Sequence, residues 1–111
     1  MRNEVVLDGI VLRIGETRYS PAGVPRVHFV VRHEGTHEEA GLPRRVRFQA
    51  LVVAIGEALV GMIGRLVPDQ PVRIRGFLDR QGYRSEATRL VVHACSIERL
   101  DRQDATNIER G

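Results

Sequence analysis

The sequence has no lysine, no tryptophan and a single cysteine, Cys95, among its 111 residues. One cysteine cannot form a disulfide within the chain, so the fold must depend on its apolar core, and this favours a reducing compartment such as the cytoplasm. No apolar run approaches the roughly 20 residues of a membrane span, and the N-terminus has no signal-peptide pattern. We therefore expect one globular domain without a membrane-spanning segment.

Because lysine is absent, all 17 basic residues are arginines; with 14 acidic residues the net charge is +3. The arginines concentrate in the middle of the chain: residues 40–90 contain nine arginines and four acids, whereas residues 1–39 contain five and six. A local surplus of cations favours an anionic partner, with nucleic acid as the first candidate. The alternative is a solvated basic surface that binds nothing, and charge alone does not separate the two.

The longest strand pattern begins at Pro43 and ends at Ile55. Apolar and polar side chains alternate over its first half, and its second half is apolar on both faces, a combination that fits a strongly curved sheet or barrel. Polar stretches containing glycine, at 15–24 and 35–42, predict connecting loops. The predicted strands are residues 3–14, 25–34, 43–55, 72–80 and 88–99, with a short helix over 56–66.

This order of elements predicts an all-β fold: a five-stranded Greek-key barrel, the OB-fold, with one short helix between strands three and four. An SH3-like barrel is the alternative, because it is also short and five-stranded. Gly9 inside strand one is typical of a bulge or a sharp coil where a sheet closes on itself. We expect the OB-fold domain over residues 1–100 and a disordered polar tail over 101–111. Alternation and apolar surroundings place three residues in the core: Phe29, Phe48 and Cys95.

Single-stranded nucleic acid is bound by a cationic groove together with side chains on which bases stack. In an OB-fold the ligand face is built from strands two and three and from two flanking loops. Arginine suits this face because its plane can pair with a phosphate or stack on a base. Tyrosines in the loops are the better stacking candidates, although ordinary loop tyrosines fit the pattern equally well. The candidate binding residues on these elements are Arg18, Tyr19, Arg44, Arg45, Arg47, Tyr83, Arg84 and Arg89.

No pattern indicates catalysis, a metal ion or a cofactor. The four histidines and Cys95 match no metal-binding spacing. Glu38 and Glu39 fit solvated loop residues better than an acid–base pair. The sequence also has no phosphate-cradling glycine loop and no nucleophile motif. We therefore predict a protein that is not an enzyme and needs no cofactor.

Several short stretches, spread over residues 3–98, together resemble one family. They are Val6-Leu7 with Gly9, Ser20-Pro21-x-Gly23-x-Pro25, Glu38-Glu39-Ala40-Gly41, Gly76-Phe77, and Val91-x-His93-Ala94 with Ile97. In these stretches the chain resembles the primosomal replication protein N (PriB) family, bacterial single-stranded-DNA-binding OB-fold proteins of replication restart. The resemblance implies a homodimer in which the first strands of two subunits pair as an extended sheet. It also implies three kinds of partner: single-stranded DNA, the primosomal helicase and other restart factors.

The resemblance assigns roles to individual residues by position. Leu42 and Arg47 stand where other members carry aromatic rings that stack on bases. Leu42 retains an apolar contact, Arg47 can stack by its plane, and Arg45 adds a charge. The missing rings keep open a second hypothesis, a protein-interaction adaptor with marginal DNA affinity, and binding of structured RNA is a third. Phosphate-binding roles are implied for Arg18, Arg44, Arg84 and Arg89.

Overall fold

The structure, a computed structural model, describes residues 1–82 and 89–101. The α-helix has seven residues, and no helix in the described part of the chain has both the length and the hydropathy to cross a bilayer. The predicted tail at 101–111 lies outside the described residues except for Asp101, so its disorder stays a prediction. The described elements are β1 (Val5–Ile14), β2 (Arg18–Tyr19), β3 (Pro25–Glu39), β4 (Leu42–Ile55), α1 (Glu57–Ile63), β5 (Pro71–Arg80) and β6 (Leu90–Arg99).

The strands form one closed, mixed β-barrel. The sheet order is β1-β5-β6-β4-β3-β2, and β1 also pairs with β3, which closes the barrel around the five long strands of the described chain. β4 and β6 run parallel, whereas the other pairs are antiparallel. The helix falls between the third and fourth long strands. These features confirm the predicted OB-fold, with β2 as a two-residue addition inside the predicted loop at 15–24.

The core lies inside the barrel and is almost entirely aliphatic. Successive side chains of a strand alternate between its faces, so every second residue of the central strands points inwards. Phe29 is fully buried, which confirms its predicted place. Ile63 of α1 and Leu66 just after it join the same cluster, so the short helix contributes to the core. The buried cluster comprises Val11, Val27, Phe29, Val31, Val52, Ala54, Ile63, Leu66, Val72, Ile74, Val92 and Ala94.

Gly9 lies where β1 changes its pairing partner. β1 pairs with β5 over its first half and with β3 from Ile10 onwards. A Cβ atom on residue 9 would lie 2.8 Å from the carbonyl oxygen of Arg32, so a glycine is needed for the two backbones to approach this closely. The interpretation of Gly9 as a closure point is confirmed, while the register shift itself lies between Val11 and Arg13.

The β3–β4 hairpin is longer than the sequence pattern predicts. The prediction of a flexible loop over 35–42 is wrong, because β3 continues to Glu39 and β4 begins at Leu42. Ala40 and Gly41 form the turn, with φ of 54° and 78°, and a tight two-residue hairpin turn takes two such left-handed residues. We call residues 33–48 the hairpin arm. Most of its side chains are exposed, which explains why a strand here has the composition of a loop.

Two residues predicted in the core are exposed. Phe48, on β4, is 42% exposed. It lies opposite His33 of β3, and His33 is one residue beyond Arg32, where the pairing of β1 with β3 ends. Its ring packs against the His33 imidazole instead, with the centroids 5.2 Å apart. Cys95 is exposed because the register of β6 against β5 shifts at this residue.

Candidate nucleic-acid interface

The β3–β4 pair presents two different faces. Val27, Phe29 and Val31 of β3 belong to the core, so the residues between them point away from it. We call this second side the outer face; on β3 it carries Arg26, His28, Val30, Arg32 and Glu34. Paired residues of neighbouring strands project to the same side, so the outer face continues on β4 with Ile55, Val53, Leu51, Gln49 and Arg47.

Arg18 lies at one end of the outer face. It lies opposite Arg26 in the β2–β3 pair, so the two guanidinium groups project to the same side. Together with Gly15, Glu16 and His28 they line an open cleft with a volume of 630 Å³. The described residues of this lining contribute two guanidinium groups and one carboxylate, a positive balance, and guanidinium groups pair well with phosphate.

The imidazole of His28 lies among these cations. Burial lowers the pKa of His28 from its ordinary value of 6.5, and the nearby Arg26, His93 and Arg18 lower it further. His28 is therefore neutral at pH 7. A bound phosphate would act in the opposite direction, because a nearby anion favours the charged form of the imidazole.

At the other end of the outer face, one carboxylate engages three arginines. Glu34 Oε1 lies 3.0 Å from Arg47 Nε and 3.6 Å from Arg32 Nε, and Glu34 Oε2 lies 3.9 Å from a terminal nitrogen of Arg45. We call these four residues the Glu34 cluster. The Glu34 side chain is 16% exposed, whereas those of Arg45 and Arg47 are mostly exposed. The carboxylate therefore offsets part of the charge of two predicted site residues.

The structure separates Leu42 and Arg44 from this face. Both alternate with the residues of the Glu34 cluster along β4, so they lie on the opposite side of the hairpin arm. A terminal nitrogen of Arg44 lies 2.7 Å from an oxygen of Glu39, and both side chains are exposed. Tyr19 is exposed as well, and alternation along β2 directs it away from the side of Arg18.

Arg18 and Arg47 share the outer face but lie far apart. Their pairing partners on β3 are Arg26 and Glu34, whose separation of eight residues spans about 26 Å of strand. The predicted site residues therefore form no compact group. Among the described ones, Arg18 lies at one end of the outer face and Arg45 and Arg47 lie at the other.

The loop between β5 and β6 contributes the remaining predicted residues. Arg89 is exposed just before β6, and its carbonyl oxygen accepts a hydrogen bond of 2.9 Å from the backbone N–H of Gln81. Tyr83 and Arg84 lie outside the described residues, so their place in the site stays a prediction.

Three outer-face residues were not predicted as site residues: Arg26, His28 and Arg32. Two of them line or adjoin the Arg18 cleft, and the third belongs to the Glu34 cluster. The alternation within residues 25–34 was a sufficient signal, because it places all three on one face of the strand.

Comparison with known proteins gives consistent matches along the chain. Residues 3–96 match a family described as another single-strand binding protein family. The replication restart protein PriB of Proteus mirabilis is 35% identical over 102 residues, which cover 92% of this chain and 97% of that protein. PriB of Photobacterium profundum is 36% identical over 98 residues, covering 88% and 94%. The solved structure of PriB from Ralstonia solanacearum has a TM-score of 0.79 at 27% identity and covers 91% of this chain and 100% of that one. The chain therefore belongs to the PriB replication restart proteins of the single-strand binding protein family.

Proposed function

We propose that this protein is a non-catalytic single-stranded-DNA-binding protein of replication restart, which binds the strand along its outer face. The main supporting observation is the cleft in which Arg18 and Arg26 project side by side, on the same face of the sheet as Arg47. The names of the relatives, replication restart proteins, point to the same process. The partners we propose are single-stranded DNA and the primosomal helicase, in the cytoplasm.

Affinity on such a face rests mainly on phosphate contacts. A strand that follows the outer face meets arginines at both ends and the half-buried side chains of His28 and Leu51 between them, because Val30 and Val53 are buried. Guanidinium contacts to phosphate carry no sequence information, so binding tolerates any base sequence. Neutralised phosphates release counterions, so affinity falls steeply as salt rises.

Titration of a labelled thymidine oligomer at several salt concentrations tests this function. Arg18→Ala and Arg26→Ala should each weaken binding by a similar factor for any base sequence. For single strands, each lost phosphate contact should flatten the slope of log affinity against log salt by about 0.7. Arg65→Ala is the matched control, because Arg65 is also exposed but lies just after α1. Absence of binding by the wild-type protein at low salt would overturn the proposal.

The Glu34 cluster favours a second candidate function. In this candidate, the carboxylate that already engages Arg45 and Arg47 makes DNA affinity marginal, and the face chiefly contacts the primosomal helicase, as an adaptor. Under this alternative, the wild type captures the helicase and shows no measurable DNA binding. Under the first proposal, the wild type binds DNA and Arg47→Glu weakens that binding.

We also propose that two copies of the chain form a homodimer through β1. On the described chain, β1 pairs with β3 only from Ile10 onwards, so its first half has one ladder neighbour, β5. Val6 in this half is largely exposed, as expected for a strand edge that a second copy extends. Light scattering should give twice the chain mass of 12.5 kDa. Val6→Arg should reduce that mass to a single chain, because two like charges would then meet at the interface.

A further inference from the structure

Phe77 combines an exposed ring with a fixed orientation. It is 40% exposed and lies opposite His93 in the β5–β6 pair. The two rings are stacked, with centroids 5.1 Å apart and planes only 6° apart. One side of the phenyl ring is therefore supported by the imidazole, and the exposed area belongs to the rest of the ring.

The strand pairings connect this stack to the outer face. His93 lies beside Val53 in the β4–β6 pair, and Val53 lies opposite His28 of β3. Val53 is buried between the two histidines. The row His28, Val53, His93 and Phe77 thus crosses four adjacent strands, about 14 Å from end to end at the usual strand spacing.

The row begins at the basic cleft. His28 lines this cleft together with Arg18 and Arg26. A nucleic-acid strand whose phosphates bind these two guanidinium groups would therefore have the Phe77 ring about 14 Å away across the same face. Phosphate binding beside a stacking surface is the combination that holds single strands without regard to sequence.

We propose that Phe77, supported by His93, is a platform on which a base of the bound single strand stacks. The proposal rests on the proposed function and adds a site to it. It explains how the chain stacks a base although Leu42 and Arg47 stand where an aromatic ring is expected. A flat hydrocarbon ring accepts every base, so the platform contributes affinity without base specificity.

The test compares two ligands of equal charge. A thymidine oligomer and an oligomer of the same length made only of abasic residues present the same number of phosphates. Phe77→Leu should weaken binding of the thymidine oligomer about tenfold, with an unchanged salt slope. Its effect on the abasic oligomer should stay below about twofold, because that ligand has no base to stack.

Phe48→Leu is the matched control. Phe48 has a similar exposed fraction and also packs on a histidine ring, but it lies on the core-facing side of the hairpin arm. We expect its affinity for both oligomers to stay at the wild-type level. Circular dichroism of both variants checks that each is folded.

Phe77→Trp gives an independent readout, because the chain contains no other tryptophan. Its fluorescence should be quenched by the thymidine oligomer and not by the abasic one. If the wild type binds thymidine and neither Phe77→Leu weakens it nor Phe77→Trp is quenched, the platform is refuted and the proposed function stands. If the wild type binds neither oligomer, the proposed function fails and the platform fails with it.

Discussion

Arg47 Nε lies 3.0 Å from Glu34 Oε1, and this pair sets the charge at one end of the outer face. The Glu34 side chain is largely shielded from solvent, so its interactions are screened less than those of a fully exposed pair. The same carboxylate approaches Arg32 and Arg45. A phosphate that binds Arg47 has to take the place of this carboxylate, so we expect Glu34 to limit affinity at this end.

Glu34→Gln should therefore strengthen DNA binding. Removal of the carboxylate frees Arg47 for one more phosphate contact, so the slope of log affinity against log salt should steepen by about 0.7. Glu57→Gln removes the same charge from the first turn of α1 and is the control for net charge. Titrations at three or more salt concentrations separate the two variants. An equal slope change in both would show that net charge, and not the local pair, is responsible.

The lowered pKa of His28 predicts a specific dependence of stability on pH. Burial, then Arg26, His93 and Arg18, hold this pKa below 6.5 in the folded protein. As pH falls through about 6.5, the unfolded chain therefore takes up a proton before the folded one does, and stability declines. Well above pH 6.5, His28 is neutral in both the folded and the unfolded chain, so it no longer makes the free energy of unfolding depend on pH. Urea unfolding from pH 8 to pH 5 should show this loss in the wild type and less of it in His28→Gln.

NMR titration of the His28 ring measures this pKa directly. Arg26→Gln removes a nearby cation, so it should move the midpoint of His28 upwards, towards 6.5. A thymidine oligomer should also raise the midpoint, because a bound phosphate favours the charged imidazole. A wild-type midpoint at or above 6.5 would contradict the lowered pKa of His28, on which the Arg26→Gln expectation depends.

The sequence was sufficient for the barrel because hydrophobic periodicity reports directly on burial. Phe29 and its alternating neighbours face the core over the whole length in which β1 closes the barrel. Beyond that point the same periodicity continues without a core. Phe48 occupies an alternate position that would face inwards, yet it lies opposite a residue one position past the end of the β1–β3 pairing. A single sequence does not show where that pairing ends.

The candidate site was harder to predict because it depends on register between strands. No sequence motif links Arg18 to Arg26, and only the β2–β3 pairing brings them together. The same holds for Glu34, whose contacts with Arg45 and Arg47 cross the hairpin. The long arm itself was missed, since exposed strand and polar loop have similar compositions.

The hairpin turn offers a test of the arm. Ala40 has φ of 54°, a conformation that is unfavourable for alanine and that asparagine tolerates better. Ala40→Asn should raise the free energy of unfolding by about 0.5–1 kcal/mol. Gly41→Ala, at φ of 78°, should lower it by about 1–2 kcal/mol. Urea unfolding measures both; effects of the same sign would mean that these residues do not form the two-residue turn.

Gly76 is the residue whose replacement should disturb the fold and the platform together. A Cβ atom at this position would overlap the carbonyl oxygen of His93 and lie 2.9 Å from its carbonyl carbon. Both are backbone atoms of the neighbouring strand, so a rotamer change cannot relieve the clash. Gly76→Ala should therefore lower the free energy of unfolding by about 3 kcal/mol.

Gly61→Ala is the matched control for that substitution. Gly61 lies inside α1, and a Cβ atom there meets no atom within 4 Å. Alanine is the better helix former, so this variant should gain about 0.5–1 kcal/mol. Urea unfolding of the two variants compares the same chemical change at two sites. If both variants gain stability, the β5 and β6 backbones do not approach this closely at residue 76. The position of His93 opposite Phe77 would then be wrong as well.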